Sequence, residues 1–116
     1  MNIKKGEIYL AALDPTIGKE ISKTRPVVIV SNNKNNEFSG TVTILPITSK
    51  NLQKIYPFEI FLTKGSGNLP KNSKVKADQI RTLDKNRIVK FIGSLAKEEI
   101  IKIENAIRIH LDLSLL

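Results

Sequence analysis

The chain has 116 residues, a net charge of +8 at pH 7 and no cysteine, which excludes a disulfide framework, a thiolate metal site and a cysteine nucleophile. Its length predicts a single domain over residues 1–116, and its 41% hydrophobic and 26% charged residues are ordinary for a globular protein. Because no segment approaches the ~20 apolar residues of a membrane span and the N-terminus lacks a signal-peptide pattern, we expect a cytoplasmic protein.

Short β-rich segments are predicted along most of the chain. The run at residues 26–31 is continuously apolar and β-branched, which is typical of a strand buried on both faces. The connecting segments SNNKNNEFSG and TKGSGNLPKNS are rich in Asn, Gly, Ser and Lys and are predicted to be exposed loops. In chain order the predicted strands are residues 7–13, 26–31, 41–47 and 58–63, with weaker candidates at 73–77 and 88–92.

A change of period after these strands predicts one C-terminal helix at residues 95–111. Ser94 is a plausible N-cap, although Lys97 stands where a capping box requires Glu or Gln. Three isoleucines lie on one face of this helix: Ile100, Ile103 and Ile107. The predicted class is therefore mainly β, a small antiparallel barrel or twisted sheet followed by a helix.

The last six residues contain four leucines, although chain termini are usually polar. Leucine side chains at this density require burial, either on the domain itself or on a second subunit. We therefore expect a homodimer.

The positive charge lies almost wholly before the helix. From Leu95 onward three cationic side chains and four carboxylates give a net charge of −1. Because the whole chain carries +8, residues 1–94 carry +9. A surface this basic attracts polyanions and indicates a nucleic-acid-binding face, with an ordinary solvated surface as the alternative.

The available side chains exclude several kinds of catalytic site. His110 is the one histidine, so a histidine pair within one chain is impossible and a Ser-His-Asp triad is not expected. The carboxylates are scattered and no phosphate-binding glycine loop occurs, so we expect neither metal nor cofactor. Cations and hydroxyls remain, and they suffice to cleave RNA, whose own 2′-hydroxyl is the nucleophile.

Arg25 directly precedes Pro26 and the buried strand. Proline fixes its own φ and restricts the preceding residue to extended geometry. The sequence therefore predicts that Arg25 is a preorganised guanidinium at the entrance of a rigid strand. The alternative is a rim arginine in a surface ion pair with Glu20.

Four segments in order, GEIYLAALDPTIGKEISKTRPVVIVSNN, PITSK, YPFEI and ADQIRTL, resemble the MazF/PemK family of toxin endoribonucleases. The resemblance runs from Lys5 to about Leu113. It implies an SH3-like antiparallel β-barrel with a C-terminal α-helix, acting as a homodimer. It also implies metal-independent, sequence-specific cleavage of single-stranded RNA, chiefly mRNA, to 2′,3′-cyclic phosphate and 5′-hydroxyl ends, which inhibits translation and growth. The implied partner is an acidic, MazE-like antitoxin whose flexible tail covers the RNA groove.

Matching positions imply that Arg25 and Thr48 are the catalytic pair. Arg25 would stabilise the charged phosphorane, because arginine side chains are too basic to act as a general base, and Thr48 would donate its hydroxyl to a phosphate oxygen. Glu20 would be the general base or would orient Arg25. Many family members have a flexible pair such as Gly-Gly before the arginine, where this chain has Lys23 and Thr24.

The expected RNA contacts surround this pair. Tyr56 is expected to stack a base, with a plain rim residue as the alternative. Gln79 is expected at a base edge and Arg81 at a phosphate, while Lys23 and Lys76 attract phosphate or are simply solvated. The complete set is Lys23, Ser31, Ser49, Lys50, Tyr56, Lys76, Gln79 and Arg81.

Two other functions stay open at this point. One is a non-hydrolytic toxin of the same barrel, similar to the gyrase poisons that resemble CcdB, which would use residues of the C-terminal helix. The other is a nucleic-acid-binding barrel without catalysis. Discrete RNA fragments formed in EDTA distinguish the nuclease from both.

Overall fold

The computed structural model describes residues 2–114, which form seven strands and two α-helices. The strands are β1 (Glu7–Ala12), β2 (Thr24–Ile29), β3 (Thr41–Thr48), β4 (Glu59–Leu62), β5 (Ser73–Lys76), β6 (Arg81–Asp84) and β7 (Ile88–Ser94). The helices are α1 (Asn33–Phe38) and α2 (Lys97–Leu111), and 3-10 turns lie at Ser66–Asn68, Ala77–Gln79 and Lys85–Arg87. The predicted mainly β class with a C-terminal helix is confirmed. Neither helix is long and apolar enough to cross a membrane.

Strand β3 is the centre of the sheet, whose order is β4-β5-β3-β2-β1-β7. One edge of β3 pairs with β2. Its other edge pairs first with β6, through residues 41–44, and then with β5, through Ile47 and Thr48. All these pairings are antiparallel, so the C-terminal end of β3 lies between the start of β2 and the start of β5.

The two faces of this sheet carry separate apolar clusters. Successive residues of a strand point to opposite faces, so Val28 packs on one side while Val27 and Ile29 pack on the other. All three are at most 1% exposed, which confirms the prediction of a strand buried on both faces. The Val28 cluster is covered by α2, through Ile103 and Ala106. The opposite face is therefore the one free of the C-terminal helix.

The six predicted strands are all present, with ends within two residues of those predicted. Strand β6 was not predicted because it is only four residues long and its sequence, RTLD, buries a single side chain, Leu83. Its pairing with β3 places that side chain in the cluster opposite α2. Tertiary pairing, rather than local pattern, makes this segment a strand.

A second difference is α1, which occupies the middle of a predicted loop. Asn32 is its N-cap and accepts a hydrogen bond from the Asn35 N–H at 2.8 Å. Asn36 is buried, and its amide donates to the Ser31 carbonyl at 2.9 Å. The loop prediction was wrong here because asparagines usually favour turns, whereas these asparagines serve as a cap and a buried bridge.

Helix α2 begins at Lys97, two residues later than predicted. Its N-cap is Ala96, whose N–H donates to Glu99 Oε1 at 2.9 Å, while Ser94 ends strand β7. The glutamate half of a capping box is present without a side-chain cap. The prediction of Ser94 as the cap was therefore wrong, because β7 extends to that residue.

The C-terminal leucines that the structure describes are not buried on the domain. Leu111 is 46% exposed and Leu113 is 54% exposed. Leu115 and Leu116 lie outside the described residues. Two ways to bury these side chains were predicted, and the first of them, packing on the domain, is not observed for Leu111 or Leu113.

Close packing of the Ser66–Asn68 turn against β7 generates a prediction about stability. A Cβ added to Gly93 would overlap the Gly67 carbonyl group, so Gly93→Ala should lower the free energy of unfolding by about 1–3 kcal/mol. Gly40→Ala is the matched control, since no atom lies within 4 Å of its added Cβ. Urea titrations measure both variants, and an unchanged midpoint for Gly93→Ala would contradict this packing.

Candidate active site

The register of β2 and β3 brings Arg25 and Thr48 together. Val27 opposite Pro46 is the last paired position of β2 and β3, and extending this register by two residues puts Arg25 and Thr48 on the same face, where both line one groove. Thr48 also pairs with Lys74 of β5. Residues opposite one another on antiparallel strands lie on the same face, with Cβ atoms about 5 Å apart. The three side chains therefore form one row on the sheet face opposite α2.

This row lies in a groove of about 520 Å³. The β1–β2 loop (residues 13–23) forms one wall, and the residues after β3 form another. Among the predicted site residues, the groove lining includes Arg25, Thr48, Glu20, Lys50, Lys76 and Gln79. The lining also includes Gly18, Lys19, Ile21, Ser22, Asn51, Lys74 and Asp78.

Arg25 is half-buried and held by one hydrogen bond. Its Nε donates to the Ser22 carbonyl oxygen at 3.1 Å. Within residues 2–114, neither terminal nitrogen of the guanidinium makes a hydrogen bond, and Arg25 forms no ion pair with Glu20. The group is thus fixed at its base and presents its two NH₂ groups to a ligand.

Thr48 is half-buried, and its hydroxyl has one bond within the described chain. Oγ1 accepts from the Lys50 N–H at 3.1 Å. Since this bond uses the oxygen as acceptor, the hydroxyl proton is available for donation. The same bond fixes the backbone of Lys50 at the start of the β3–β4 loop (residues 49–58).

Glu20 lies exposed on the β1–β2 loop. Its Oε1 accepts from the Ile17 N–H at 2.8 Å. Gln79 fastens the same loop, because its amide accepts from the Ile21 N–H at 3.3 Å and donates to the Lys19 carbonyl at 3.4 Å. The loop thus presents a carboxylate to the groove while Gln79 is engaged with backbone.

The floor of the groove contains a buried ion-pair cluster that the sequence did not indicate. Glu59 is 3% exposed, and its carboxylate lies 2.7 Å from Lys76 Nζ and 3.1 Å from Lys74 Nζ. Burial alone would raise the pKa of Glu59, but hydrogen bonds from Lys76, the Tyr56 N–H and Lys74 hold that pKa below its usual value. Lys76 Nζ also lies 3.7 Å from Asp78 Oδ1, so Lys76 is a neutralised cation rather than a free one.

Pattern analysis missed this cluster because it depends on strand pairing. Glu59 pairs with Lys76 across β4 and β5. The alternation in FEIFLT predicts that Glu59 and Phe61 share a face, but not which residues of another strand lie opposite them. The only signal in the sequence was that Glu59 shares a strand face with the apolar Phe61.

Two predicted site residues lie in cavities beside the groove. Ser49 lines a small cavity of about 80 Å³, and Arg25 is also part of its lining. Arg81 lines a cavity of about 450 Å³ together with Glu20 and Gln79, and its Nη1 donates to the Leu13 carbonyl at 3.2 Å. Both are therefore neighbours of the groove rather than part of its lining.

Three predicted RNA contacts lie outside the groove lining. The Ser31 hydroxyl accepts from the Thr43 N–H at 3.0 Å and donates to Asn36, which is a bond within the fold. The Tyr56 ring is stacked on Phe58, with centroids 5.4 Å apart. Lys23 is exposed, with a φ of 68° that favours glycine.

No group of three or more His, Cys, Asp or Glu side chains suited to a metal ion occurs in the part of the chain that the structure describes. His110 is exposed on α2, and its ring centroid lies 6.1 Å from that of Phe58. Because α2 covers the sheet face opposite the groove, His110 is not part of the groove.

The lowered pKa of Glu59 predicts how stability depends on pH. The pKa of glutamate in an unfolded chain is about 4.3, so the stabilisation is present above that pH and is lost as the pH falls through the lower folded pKa. Urea unfolding at pH 7 and pH 3 should show a smaller acid-induced loss in Glu59→Gln than in wild type. The exposed Glu98→Gln is the control, and an equal loss in all three proteins would contradict the assignment.

Comparisons of sequence match the chain to a toxin family model and to proteins named endoribonuclease. The family model described as PemK-like, MazF-like toxin of type II toxin–antitoxin system matches residues 4–111. The endoribonuclease MazF9 of Mycobacterium tuberculosis is 35% identical, over 96% of this chain and 98% of that protein. The endoribonuclease MazF of Staphylococcus epidermidis is 37% identical, over 97% of this chain and 93% of that protein.

Solved structures agree with the fold. MazF from Deinococcus radiodurans superposes with a TM-score of 0.83 at 24% identity, covering 97% of this chain and 98% of that one. An endoribonuclease from a Mycobacterial species, in complex with its cognate antitoxin, gives 0.80 at 24% identity, covering 98% and 99%. At these identities the likeness establishes the fold, and it confirms the fold that the resemblance implied. With residues 4–111 matched by the family model, the chain belongs to the PemK-like, MazF-like toxin family of type II toxin–antitoxin systems.

Proposed function

We propose that this toxin is a metal-independent endoribonuclease that cuts single-stranded RNA, chiefly mRNA, at short sequences and so inhibits translation and growth. The observation that carries the proposal is the row of Arg25 and Thr48 in one groove, with the terminal guanidinium nitrogens unpaired within residues 2–114. The relatives from Mycobacterium tuberculosis and Staphylococcus epidermidis carry the name endoribonuclease, which agrees with this activity.

The chemistry needs only groups that line the groove. The ribose 2′-oxygen attacks the adjacent phosphorus while Glu20 accepts the 2′-hydroxyl proton, and the bond to the 5′-oxygen breaks as that oxygen takes up a proton from water. Arg25 and the Thr48 hydroxyl stabilise the negative charge on the non-bridging oxygens, which is greatest in the transition state. The products are a 2′,3′-cyclic phosphate and a 5′-hydroxyl. DNA lacks the attacking hydroxyl and is not a substrate.

Glu20 fits the role of base better than that of orienting Arg25. An orienting carboxylate has to contact the guanidinium, and no such ion pair occurs within residues 2–114. Its Oε1 is used by the Ile17 N–H, while Oε2 makes no hydrogen bond in the described chain. An oxygen without a protein partner is the one that can take up the substrate proton.

RNA binding would rest first on Lys50, which is exposed at the groove and attracts phosphate. Lys76 would contribute less, because two carboxylates already neutralise it. The other predicted contacts remain proposals, and the rim side chains among them would set the cleavage sequence.

Two protein partners complete the proposal. A Mycobacterial relative has been solved with its cognate antitoxin, and the +9 charge of residues 1–94 suits an acidic, flexible antitoxin tail that covers the groove. A second copy of the chain would cover the exposed apolar side chains of α2 and the segment after it, which include Ile109, Leu111 and Leu113.

Substitution of the catalytic pair tests the activity directly. On a long RNA in EDTA, wild type should release discrete fragments with cyclic-phosphate ends, and Arg25→Ala should abolish cleavage while remaining folded. Thr48→Val, which keeps the shape and removes the donor, should slow cleavage by at least about 10²-fold. Lys64→Ala, on an exposed loop, is the charge control. Intact RNA with stalled gyrase on DNA, or retardation of RNA without cleavage, would reject the nuclease.

Replacement of Glu20 by Gln separates a base from a loop-holding residue. Glutamine can still accept the Ile17 N–H but cannot take up a proton at neutral pH, so kcat should fall by about 10²-fold or more. A kcat within threefold of wild type would show that the carboxylate only shapes the loop.

A further inference from the structure

Lys74 is a buried cation beside the proposed catalytic pair. It is 4% exposed and pairs with Thr48 in the register of β3 and β5. Its ammonium lies 2.9 Å from the Asn51 carbonyl oxygen, 3.3 Å from that of Lys54 and 3.1 Å from Glu59 Oε1. An ammonium has three N–H donors, so all of them are used inside the protein.

Two of these three bonds reach from the sheet to the middle of the β3–β4 loop. The other hydrogen bonds of this loop lie at its ends, where Lys50 N–H donates to Thr48 and Tyr56 N–H donates to Glu59. Asn51 has a φ of 56°, in the left-handed region that asparagine adopts more readily than most residues. The ammonium of Lys74 binds the Asn51 and Lys54 carbonyls and so ties this turn to the sheet.

A buried ion pair is a poor source of net stability. Removing an ammonium from water is costly, and the attraction to Glu59 returns little beyond that cost. What a fully hydrogen-bonded pair does provide is a single geometry, because every alternative leaves a buried donor unpaired. The contacts of Lys74 therefore point to a role in fixing the loop.

We propose that Lys74 is a positioning residue of the ribonuclease, which rests on the function proposed above. Its ammonium clamps the turn at residues 51–54 to the groove floor and thereby sets where Lys50 and Asn51 stand relative to Thr48. Both of those residues line the groove, so the clamp determines how the substrate backbone is held beside the reacting phosphate. Lys74 itself does not contact RNA, because it has no free donor.

The first test measures how well the β3–β4 loop is protected from trypsin in the absence of RNA. Lys74→Met keeps the length of the side chain and removes all three donors. Trypsin should cut after Lys50 and Lys54 at least about tenfold faster than in wild type, as followed by mass spectrometry. Lys34→Met removes the same charge from the exposed helix α1 and should leave the cutting rate unchanged.

RNA cleavage then separates positioning from a general loss of structure. Under native conditions Lys74→Met should raise KM by about tenfold and change kcat by less than threefold, since Arg25 and Thr48 stay on their strands. Lys34→Met should keep the wild-type KM. Unchanged loop protection in Lys74→Met, or faster loop cutting with an unchanged KM, would overturn the proposal.

A second variant covers the case in which Lys74→Met does not fold, because that change leaves buried Glu59 with one cation. Glu59→Gln/Lys74→Met removes both charges of the pair and keeps an acceptor for the Tyr56 N–H. The folded double variant should show the same fast cutting after Lys50 and Lys54, and wild-type protection would refute the clamp. If wild type fails to cleave RNA, the proposed function and the ribonuclease role of Lys74 fail together. The tryptic assay alone still decides whether Lys74 holds the turn.

Discussion

The pairing of β2 with β3 is the constraint on which the groove depends. Val27 opposite Pro46 sets the register that brings Arg25 level with Thr48. A shift by one residue would send one of these side chains to the face covered by α2. The register is itself held by burial, because Val27, Val28 and Ile29 fill clusters on both faces and are at most 1% exposed. Packing of an apolar strand thus determines the position of a cation.

Electrostatics in the groove is more selective than the net charge indicates. Lys74 and Lys76 share the buried Glu59, and Lys76 also approaches Asp78. Arg25 is different, since one bond to the Ser22 carbonyl holds it and no carboxylate of the described chain pairs with it. The protein therefore neutralises the lysines on the floor of the groove. It leaves the positive charge of Arg25 available where negative charge would develop on a phosphate.

The two loops at the groove are held in different ways. The side-chain amide of Gln79 makes two long hydrogen bonds, of 3.3 and 3.4 Å, to the backbone of the β1–β2 loop, in a part of the protein that is open to water. Lys74 holds the β3–β4 loop from a buried position. A tie of the first kind is easily exchanged for water, whereas opening the second exposes a buried charge pair.

The positions of six strands along the chain and the C-terminal helix were readable from the chain alone, because each rests on local periodicity. The place of Arg25 at the start of a buried strand was predicted as well, since Pro26 and the apolar run after it restrict its backbone. The short strand β6, the helix α1 and the Glu59 cluster could not be predicted, because each depends on which distant residues lie alongside. Lys23 shows the same limit, since its positive φ is imposed by the turn that enters β2 rather than by its own preference. The sequence by itself determined which chemical groups the protein has and which strands carry them. Only the tertiary structure decided which cations are neutralised and which are left for a ligand, because charge pairing follows distance in space and not along the chain.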